Sequence, residues 1–497
     1  MSNTRVAMAA SKLGRDKRGT PRIWIEGRKL ERAGFAPAAR YRMEVDEDRR
    51  QIVLKLDPAG DRTVSRRARR GSEIPIVDIV NGKALSSLDA IETLRLDFGA
   101  GRITITPAMA ELRRLERNER TRRRLQDGEP LRTGSVSTGL GILSLAIHEG
   151  LAQAGIESEL AFSVEIDSSY QDLCAERNPV WKPGTVAYNA PLQEFAFDPR
   201  MAGEVEQVDI LEAGIPCTAH SIAGRSKKHL AKPEDDPVAG HLAVGFLAIV
   251  AACNPTMVIV ENVPGYATSA SFSIITAQLT EWGYQIRWDI LKGEEFGCLE
   301  HRNRMVLIAA TPGLDVDLPA IRPHDPQPTT LGTVLDDIPL DSPLWSEMSY
   351  LRAKEESDIA AGKGFRMQIC GPEATHVGTI GRGYAKCRST EIKIQHPAND
   401  RLLRQLTPAE HARVKGVPEA FVDDISITAA HEMLGQSILM APFRALGFGI
   451  GSAFAGWNGN TVAKPAEPVR MQLAATPISN DNDSDSDSDT EQLSLFA

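Results

Sequence analysis

Cys217 is the residue of this sequence best suited to nucleophilic chemistry. It lies in the stretch GIPCTAHSIAGRSKKH (residues 214–229), directly after the apolar run VDILEAG, which predicts a strand that ends at a glycine. Open α/β sheets bind their ligands at the carboxyl ends of such strands, and the basic residues that follow favour the nucleophilic thiolate. Most free cysteines are instead buried and unreactive, so this stretch alone leaves both interpretations open.

Acidic and basic side chains occur at the ends of two further predicted strands. The apolar run PTMVIVENVPGY continues until Glu261 and Asn262, and a carboxylate at the end of a buried strand is costly unless it is paired or used. In FGCLEHRNRMVLIAA, Arg302 and Arg304 alternate into a strand, so both are predicted to face one side and to suit a phosphate or carbonyl oxygen. If these loops share a sheet edge, Cys217 and Glu261 face one cavity. Surface salt bridges are the alternative interpretation.

Two earlier segments are typical of a nucleotide-like cofactor site. SVSTGLGILSLAIHEG (residues 135–150) predicts a strand, a Gly-x-Gly turn and a helix, and such a turn lets the backbone approach a cofactor closely. LAFSVEIDSSY predicts a second strand ending in Glu165, a position that commonly binds ribose hydroxyls. Together the two segments favour a cofactor site over a purely structural turn.

The bulk composition indicates an ordinary intracellular protein. With 497 residues the chain is predicted to form two or three domains, and 42% hydrophobic and 25% charged residues are typical of soluble proteins. No apolar run reaches membrane-spanning length, and no signal peptide is apparent at the start. The six cysteines have no close pairs, which predicts a reduced compartment without disulfides or a metal site. We therefore expect a cytoplasmic location.

Charge is distributed unevenly along the chain. Residues 1–131 contain 29 Lys and Arg against 19 Asp and Glu, a net charge of +10, whereas the remainder contains 28 against 47, a net charge of -19. Such a division indicates a basic part that binds nucleic acid and an acidic tail. Binding of phosphates by the first part would be sensitive to salt.

The N-terminal part, residues 1–108, is predicted to be β-rich and internally duplicated. Residues 22–56 and 74–107 each predict a strand, a Gly-basic-x-Leu turn and two alternating strands, with GKAL echoing GRKL. Two such halves resemble the swapped-hairpin domain of bacterial transition-state regulators and antitoxins, which commonly binds DNA as a dimer. The resemblance implies DNA binding or a homodimer through this domain. A β-rich domain used only for dimerisation is the alternative.

The remaining chain has three parts. Residues 109–132 predict an exposed basic helix, either a solvated linker or a phosphate contact. From residue 133 to about 459, strand-like runs alternate with helical patterns, which favours βαβ units and a parallel sheet. Residues 460–497, with the repeat SNDNDSDSDSDTEQLSLFA, are too polar to bury a core and are predicted to be disordered.

Taken in order, the motifs of the large domain resemble those of the DNA (cytosine-5)-methyltransferases. The order is Gly-x-Gly, Glu after the second strand, Pro-Cys, Glu-Asn-Val, x-x-Arg-x-Arg, RQLTPAEHARVKGVPEAF and LGQSILMAPFRALG, over residues 136–447. Pro-Cys alone is common by chance, whereas this order is not. The resemblance implies an α/β fold: a Rossmann-like S-adenosylmethionine-dependent methyltransferase domain over 133–311 and 402–459, with target recognition in 312–401.

The resemblance also implies catalytic roles. Cys217 would add to C6 of cytosine, which makes C5 electron-rich enough to take a methyl group. Glu261 would hold and protonate or polarise the ring N3, and Asn262 would position the loop. Arg304, with Arg302 beside it, would contact the flipped base and its phosphates. A base inside a duplex must be extruded before such chemistry, and a cysteine suits reversible covalent addition at neutral pH.

Further positions are implied for the DNA backbone and for the cofactor. Ser221 and Arg225 fall where the family's mobile catalytic loop touches double-stranded DNA. The positions implied for S-adenosylmethionine are Ser137, Gly139, Leu140, Gly141, Glu165, Ile166, Asn189, Ala190, Pro216, Gln436 and Ser437.

The sequence departs from the family pattern around the cofactor. Ser137 replaces an aromatic residue that usually stacks on adenine, and Ile142 replaces the last glycine of that motif. Asn189 stands in place of an aspartate, although its side-chain oxygen can still accept from the adenine amino group. Thr218 replaces a common Gln, and Gln436 an Asn. We therefore expect an atypical cofactor pocket with intact chemistry.

Two features bear on partners. The interval 312–401, with GRGYAKCRSTEIKIQH, suits a loop-rich reader of the major groove. The terminal residues Gln492, Leu493, Leu495 and Phe496 resemble the peptide by which bacterial proteins dock on the replication sliding clamp, a polar anchor with apolar side chains on a tether; an accidental apolar terminus is the alternative. The leading hypothesis is a bacterial, phage or mobile-element DNA (cytosine-5)-methyltransferase, either an orphan enzyme or the partner of a restriction enzyme. An inactive DNA-binding regulator and an RNA cytosine methyltransferase are the other hypotheses.

Overall fold

The chain divides into two compact units, Met1–Glu116 and Arg117–Ala497. The structure is a computed structural model, and it describes residues 5–69, 72–89, 91–216, 233–236, 240–363 and 366–459. The division falls inside the segment predicted to link a β-rich domain to the large domain.

The first unit is built of short strands. They are β1 (Arg5–Lys12), β2 (Gly14–Arg15), β3 (Pro21–Glu26), β4 (Arg40–Asp46), β5 (Gln51–Leu56), β6 (Arg62–Thr63), β7 (Ser65–Arg69), β8 (Ser72–Val80), β9 (Thr93–Gly99) and β10 (Arg102–Pro107), with helix α1 (Arg28–Arg32) after β3. In β9 and β10, buried residues alternate with half-buried ones, which is the period of two that a sheet with one covered face requires.

The strand order of this unit repeats between its two halves. One sheet has the order β1-β9-β10-β5-β4-β6 and the other β2-β3-β8-β7. Residues 22–56 supply strand β3 and the hairpin of β4 and β5, and residues 74–107 supply strand β8 and the hairpin of β9 and β10. The two halves pair with each other in both sheets: Ile23 lies opposite Ile79, and Leu54 lies opposite Ile103. Both pairings are antiparallel. The strand order of each sheet is therefore the same when it is followed from either end, with the strands of one half replaced by those of the other. A two-fold relation between the two halves requires this order.

The second unit alternates strands and helices. Its elements are helix α2 (Met109–Asp127), which begins in the first unit, β11 (Leu131–Val136), α3 (Ile142–Gln153), β12 (Ser158–Glu165), α4 (Ser168–Arg177), β13 (Val186–Asn189), α5 (Leu192–Phe197), β14 (Ile210–Gly214), α6 (Leu242–Cys253), β15 (Met257–Asn262), α7 (Ala270–Glu281), β16 (Gln285–Lys292), β17 (Asn303–Ala310), α8 (Ser349–Ala360), β18 (Gln368–Cys370), β19 (Ile392–Gln395), β20 (Leu403–Arg404), α9 (Pro408–Lys415), α10 (Ile427–Gln436) and α11 (Met440–Trp457).

The large sheet has the order β13-β12-β11-β14-β15-β17-β16. From β13 to β15 all neighbours are parallel, as the alternation of strands and helices predicts. Strand β17 runs antiparallel to both β15 and β16. The expectation of a parallel sheet is therefore wrong at this edge, because residues 293–302 between β16 and β17 hold only a short helical turn and no crossover helix.

Helices cover both faces of this sheet, and α3 and α11 pack closely on one of them. A Cβ on Gly447 would lie 2.6 Å from Ile147 O, so this contact requires a glycine. The pair α10 and α11 is buried on that face. Together the two match a membrane span in length and composition but are bent by 43°, and no single helix among the described residues does so.

The predicted recognition region, residues 312–401, contributes to a separate small core. Strands β18, β19 and β20 form a separate sheet. The buried residues around it are Leu299, Leu331, Val334, Val377, Ile380, Tyr384, Ile392, Ile394, Leu406 and Val414. Because Leu299 and Val414 lie in the parts of the sequence predicted to be catalytic, this core joins residues 312–401 to those parts.

The second half of α2 packs at the amino edge of the large sheet. Asp209, which is fully buried beside the start of β14, accepts hydrogen bonds from Thr121 Oγ1 (2.5 Å) and from the Arg132 N–H (2.8 Å). The Nε atoms of Arg120 and Arg124 lie 3.5 and 3.4 Å from its carboxylate. A buried carboxylate is stable only with such partners.

Arg117 on the same helix is also buried. Its guanidinium donates to Trp282 O and Gly283 O and lies 3.8 Å from the centre of the Tyr284 ring. The prediction of an exposed basic linker is therefore wrong for this half of α2. Its arginines neutralise a carboxylate and cap carbonyls that lie far away in the sequence.

We expect Thr121→Val to lower the free energy of unfolding by about 1–3 kcal/mol, because it leaves Asp209 and Thr256 without a buried hydroxyl partner. Thr280→Val, an exposed change of the same chemistry on α7, should stay within about 0.5 kcal/mol of wild type. Urea unfolding of both variants measures the difference. Equal losses in the two variants would contradict the role assigned to Asp209.

Candidate active site

The turn after β11 bends sharply into α3. Ser137, Gly139 and Gly141 have φ values of 55°, 54° and 69° in the left-handed region, where a side chain such as that of Ser137 is strained. A Cβ on Gly141 would lie 2.6 Å from Asn178 Nδ2, so the turn closes there against the end of α4. A Cβ on Gly139 would meet nothing within 4 Å. The backbone at Gly139 is therefore open on one side.

Glu165, at the carboxyl end of β12, fixes this turn. Its Oε2 accepts a hydrogen bond from the Gly139 N–H (2.7 Å), and its Oε1 accepts one from the Asp167 N–H (3.0 Å). Each carboxylate oxygen has a second lone pair, so Glu165 can still accept from a ribose hydroxyl. The next residue, Ile166, is 68% exposed, which presents an apolar surface at the same strand end.

Asn189 lies beside Glu165 at the end of β13. Its Nδ2 donates to Glu165 O (2.9 Å), which leaves Oδ1 as the atom that can accept from a ligand. Of the other predicted cofactor positions in this part, Leu140 is buried, Ala190 is half-buried and Pro216 is exposed.

The end of α10 approaches the start of α4. Gln436 Nε2 donates to the Tyr170 hydroxyl (3.0 Å), and Ser437 Oγ donates to Leu434 O (2.8 Å) as a cap of its own helix. Sequence reasoning missed Tyr170. In the sequence, only its position five residues after Glu165 could have indicated that Tyr170 lies near this site.

Glu261 and Arg304 form an ion pair at the carboxyl edge of the large sheet. Arg304 Nε lies 2.7 Å from Glu261 Oε1, and the two side chains are 13% and 14% exposed. Burial raises the pKa of Glu261, and the positive charges of Arg304 and Arg302 oppose that rise only in part. The carboxyl is thus better able to hold a proton than an exposed glutamate.

Gly214 is the point where the two halves of the site meet. It lies opposite Glu261 in the pairing of β14 with β15. A Cβ at Gly214 would lie 3.8 Å from Glu261 Oε2 and 3.4 Å from Ser137 O. The glycine turn and the ion pair therefore face each other across the end of β14, three residues before Cys217 in the sequence.

Asn262 is buried next to Glu261 and bonds to the same chain segment. Its Nδ2 donates to Ile215 O (3.0 Å), and its Oδ1 accepts from the Val263 N–H (2.9 Å). The amide thus ties the end of β15 to the backbone two residues before Cys217. Cys217 itself, Ser221 and Arg225 lie outside the described residues, as do the terminal residues Gln492, Leu493, Leu495 and Phe496.

Arg302 differs from the prediction that it shares one face with Arg304. It precedes β17, so the alternation of the strand does not reach it. It is buried, and its guanidinium donates to Gly435 O (2.9 Å) and Ile380 O (3.4 Å). Arg302 is therefore bonded to protein carbonyls rather than aimed at a substrate.

Glu212 is a buried carboxyl that sequence reasoning did not single out. It lies on β14 beneath the glycine turn, and Ser144 Oγ on α3 donates to its Oε1. Burial raises the pKa of Glu212 to about 7. Its presence as the single charged residue inside the apolar run ILEAG could have indicated it from the sequence.

The chemistry of this edge fits S-adenosylmethionine. A carboxylate suits ribose hydroxyls, the exposed Ile166 suits an adenine face, and an amide oxygen at Asn189 suits the adenine amino group. The open backbone at Gly139 leaves room for a ligand beside the turn. This set stands next to the ion pair across Gly214.

Comparison with known proteins identifies the second unit. Residues 132–450 match the family of the C-5 cytosine-specific DNA methylase. The chain is similar to the type II methyltransferase M.NlaX of Neisseria lactamica, with 32% identity over 251 residues that cover 49% of this chain and 76% of that protein. It is also similar to the type II methyltransferase M.HhaI of Haemophilus parahaemolyticus, with 24% identity over 294 residues, 54% of this chain and 85% of that protein.

A solved structure shares the fold. The methyltransferase EhMeth of Entamoeba histolytica superposes with a TM-score of 0.50 and 18% identity, over 65% of this chain and 98% of that one. The family match covers more than half of the sequence and contains the glycine turn, the ion pair and the end of α10. The chain belongs to the C-5 cytosine-specific DNA methylases, which transfer the methyl group of S-adenosylmethionine to C5 of cytosine in DNA.

Proposed function

We propose that this chain methylates cytosine at a specific sequence of double-stranded DNA through a covalent adduct with Cys217. The observation that supports this most is the Glu261–Arg304 ion pair beside Gly214, three residues before Cys217. A half-buried carboxyl with a raised pKa next to a guanidinium suits a flipped pyrimidine, which offers a ring nitrogen and a carbonyl oxygen.

The proposed reaction begins when the Cys217 thiolate adds to C6 and forms a carbon–sulfur bond. The electrons move to C5, and Glu261 holds a proton at N3 so that negative charge does not build up on the ring. S-adenosylmethionine, when bound, supplies the methyl group that C5 takes up. Loss of the C5 proton to a base then expels the thiolate and restores the ring.

The neighbouring residues hold the reacting groups in place. Arg304 keeps the Glu261 carboxyl aimed at the end of β14, and Asn262 fixes the backbone at Ile215. For the cofactor, we assign the ribose to Glu165 and the adenine to Ile166 and Asn189. Gly139 and Gly141 provide the turn beside them, and this assignment accommodates the missing aromatic at Ser137.

A trapping experiment tests the covalent mechanism. We expect wild type, with S-adenosylmethionine, to form a stable adduct on duplexes in which 5-fluorocytosine replaces cytosine, because fluorine at C5 cannot leave as a proton does. Cys217→Ser should bind the same DNA without forming the adduct. Denaturing gels measure the adduct, and sequencing of the trapped DNA gives the target.

The remaining hypotheses predict other results. Absence of an adduct on every duplex, from folded protein that binds the cofactor, would favour the inactive regulator. An adduct on 5-fluorocytosine RNA alone would favour the RNA methyltransferase.

We expect Glu261→Gln to lower the methylation rate by about a hundredfold or more, because an amide cannot deliver a proton to N3. The affinity for S-adenosylmethionine should stay unchanged, since Glu165 and Asn189 are intact. Glu281→Gln, an exposed change at the end of α7, is the matched control and should leave the rate unchanged. Single-turnover rates measure the effect, and a rate near wild type for Glu261→Gln would remove it from the reaction.

We propose a DNA-binding role for the first unit as a second function. The strand order of the unit, which reads the same from either half, supports the swapped-hairpin interpretation. The excess of basic residues supports contact with phosphates. Since both halves lie on one chain, the unit can form without a second copy, and a homodimer through this unit becomes a separate question.

Deletion of residues 1–108 tests both ideas, because it keeps α2 and its bonds to Asp209. We expect DNA affinity to fall and to lose part of its salt dependence, while the trapping reaction persists. The mass in solution should fall only by the deleted part if the unit forms alone. Unchanged DNA affinity would reject the DNA-binding role, and dissociation of a dimer would show that the unit dimerises the enzyme.

The acidic tail adds one further proposal. Docking of Gln492, Leu493, Leu495 and Phe496 on the replication sliding clamp stays a prediction from the sequence. Such docking would place the enzyme on newly replicated DNA in the nucleoid.

A further inference from the structure

Three ionisable side chains are buried together close to the Glu261–Arg304 ion pair. Glu300, Arg302 and Lys415 are each less than 5% exposed. Lys415 Nζ lies 2.6 Å from Glu300 Oε2, and Arg302 lies 3.4 Å from Glu300 Oε1. Burial alone would raise the pKa of Glu300, but the charges of Lys415 and Arg302 outweigh burial and lower it. The carboxylate is therefore held ionised between two basic side chains, of which Arg302 carries the permanent charge, because burial lowers the pKa of Lys415 to about 7.

This cluster joins the catalytic sheet to the recognition region. Residues 299–301 pair with Val377 of that region through the Val377 N–H to Leu299 O (2.8 Å) and the His301 N–H to Val377 O (2.9 Å). Glu300 Oε1 also accepts a hydrogen bond from the Ile380 N–H (3.0 Å). One carboxylate thus holds the backbone of the recognition region with one oxygen and Lys415 with the other.

The cluster also reaches the cofactor side of the domain. Arg302 donates to Gly435 O, next to Gln436 at the end of α10. A Cβ on Gly435 would overlap Gly381 O, so the recognition region lies directly against this helix end. Lys415 is the last residue of α9. Four segments therefore converge on Glu300 and Arg302, which stand four and two residues before Arg304.

Such a cluster is suited to positioning rather than to stability. Desolvation of buried charges offsets much of their attraction, and apolar or neutral replacements of a whole buried pair are often tolerated. The charged groups instead fix the relative positions of the segments that carry them, because a shift of any segment breaks the hydrogen bonds and ion pairs that it makes in the cluster. The segment whose position matters here is the one that carries Arg304.

We propose that Glu300 is a positioning residue that, through Lys415 and Arg302, keeps the recognition region in register with the strand that carries Arg304. A base selected by the recognition region is then delivered to the Glu261–Arg304 pair, whereas a base from another sequence arrives out of register. The proposal rests on the proposed function, because it concerns how the target cytosine is selected.

The test compares two double variants of the full chain. Glu300→Gln with Lys415→Met removes both charges of the buried pair and keeps an acceptor for the Ile380 N–H. Glu295→Gln with Lys292→Met makes the same change in an exposed pair of the second unit, where the two side chains are 56% and 44% exposed. Each protein methylates a library of duplexes with randomised sequence around a cytosine. Sequencing gives the rate at the preferred sequence and at all others.

We expect the ratio of the preferred rate to the others to fall by about tenfold or more in the buried double variant, because a small misplacement of the reacting group costs up to about a hundredfold. The exposed double variant should keep the wild-type ratio. Affinity for S-adenosylmethionine, measured by calorimetry, should be equal in all three proteins. A merely structural role would lower every rate together and leave the ratio unchanged, which would overturn the proposal.

If the buried double variant does not fold, Lys415→Met alone provides the same test. It leaves Glu300 with Arg302 and the Ile380 N–H, and we expect a smaller fall in the ratio. An unchanged ratio in a folded variant rejects the positioning role and leaves the methyltransferase function intact. No methylation of any duplex by wild type rejects the proposed function itself.

Discussion

The Glu261–Arg304 ion pair requires β17 to run against β15. Strand β15 delivers Glu261 at its carboxyl end, and β17 delivers Arg304 at its amino end. These two ends meet at one edge of a sheet only when the strands are antiparallel. The departure from a parallel sheet is thus what brings a carboxyl and a guanidinium to the edge where the glycine turn also lies.

At the opposite edge of the same sheet, a buried carboxylate is held by a hydroxyl group and two arginines. Asp209 beside the start of β14 is bound by Thr121 and flanked by Arg120 and Arg124. At the other end of that strand, Gly214 has no side chain and leaves space between Ser137 O and the Glu261 carboxyl. One strand therefore begins beside a fixed ionic contact and ends at a glycine between the turn at Ser137 and the Glu261 carboxyl. The amino edge stabilises the sheet, and the carboxyl edge remains available for ligands.

The sequence predicted features that depend on neighbours in the chain. The strand ends at Glu165 and Glu261 and the turn at Gly139 follow from local patterns, and the structure has strands and a turn at those positions. The burial of α2 could not be predicted, because the partner of Thr121 lies 88 residues away. The direction of Arg302 depends likewise on Ile380 and Gly435. Polar partners that lie far apart in the sequence produce no periodic pattern. An arginine-rich helix is therefore predicted to be exposed unless the buried carboxylate that it contacts is already known.

Three glutamates show how placement decides which carboxyl can take part in a reaction. Glu300 faces Arg302 and Lys415, and its lowered pKa keeps it ionised and bound within the protein. Glu212 is buried against hydroxyl groups, and its pKa of about 7 lets it hold a proton, but it lies beneath the turn with 1% of its surface exposed. Glu261 combines a raised pKa with partial exposure at the sheet edge. Because a general acid must both hold a proton and reach the substrate, Glu261 is the one of these three that can serve the base, while Glu300 acts through the backbone that it holds.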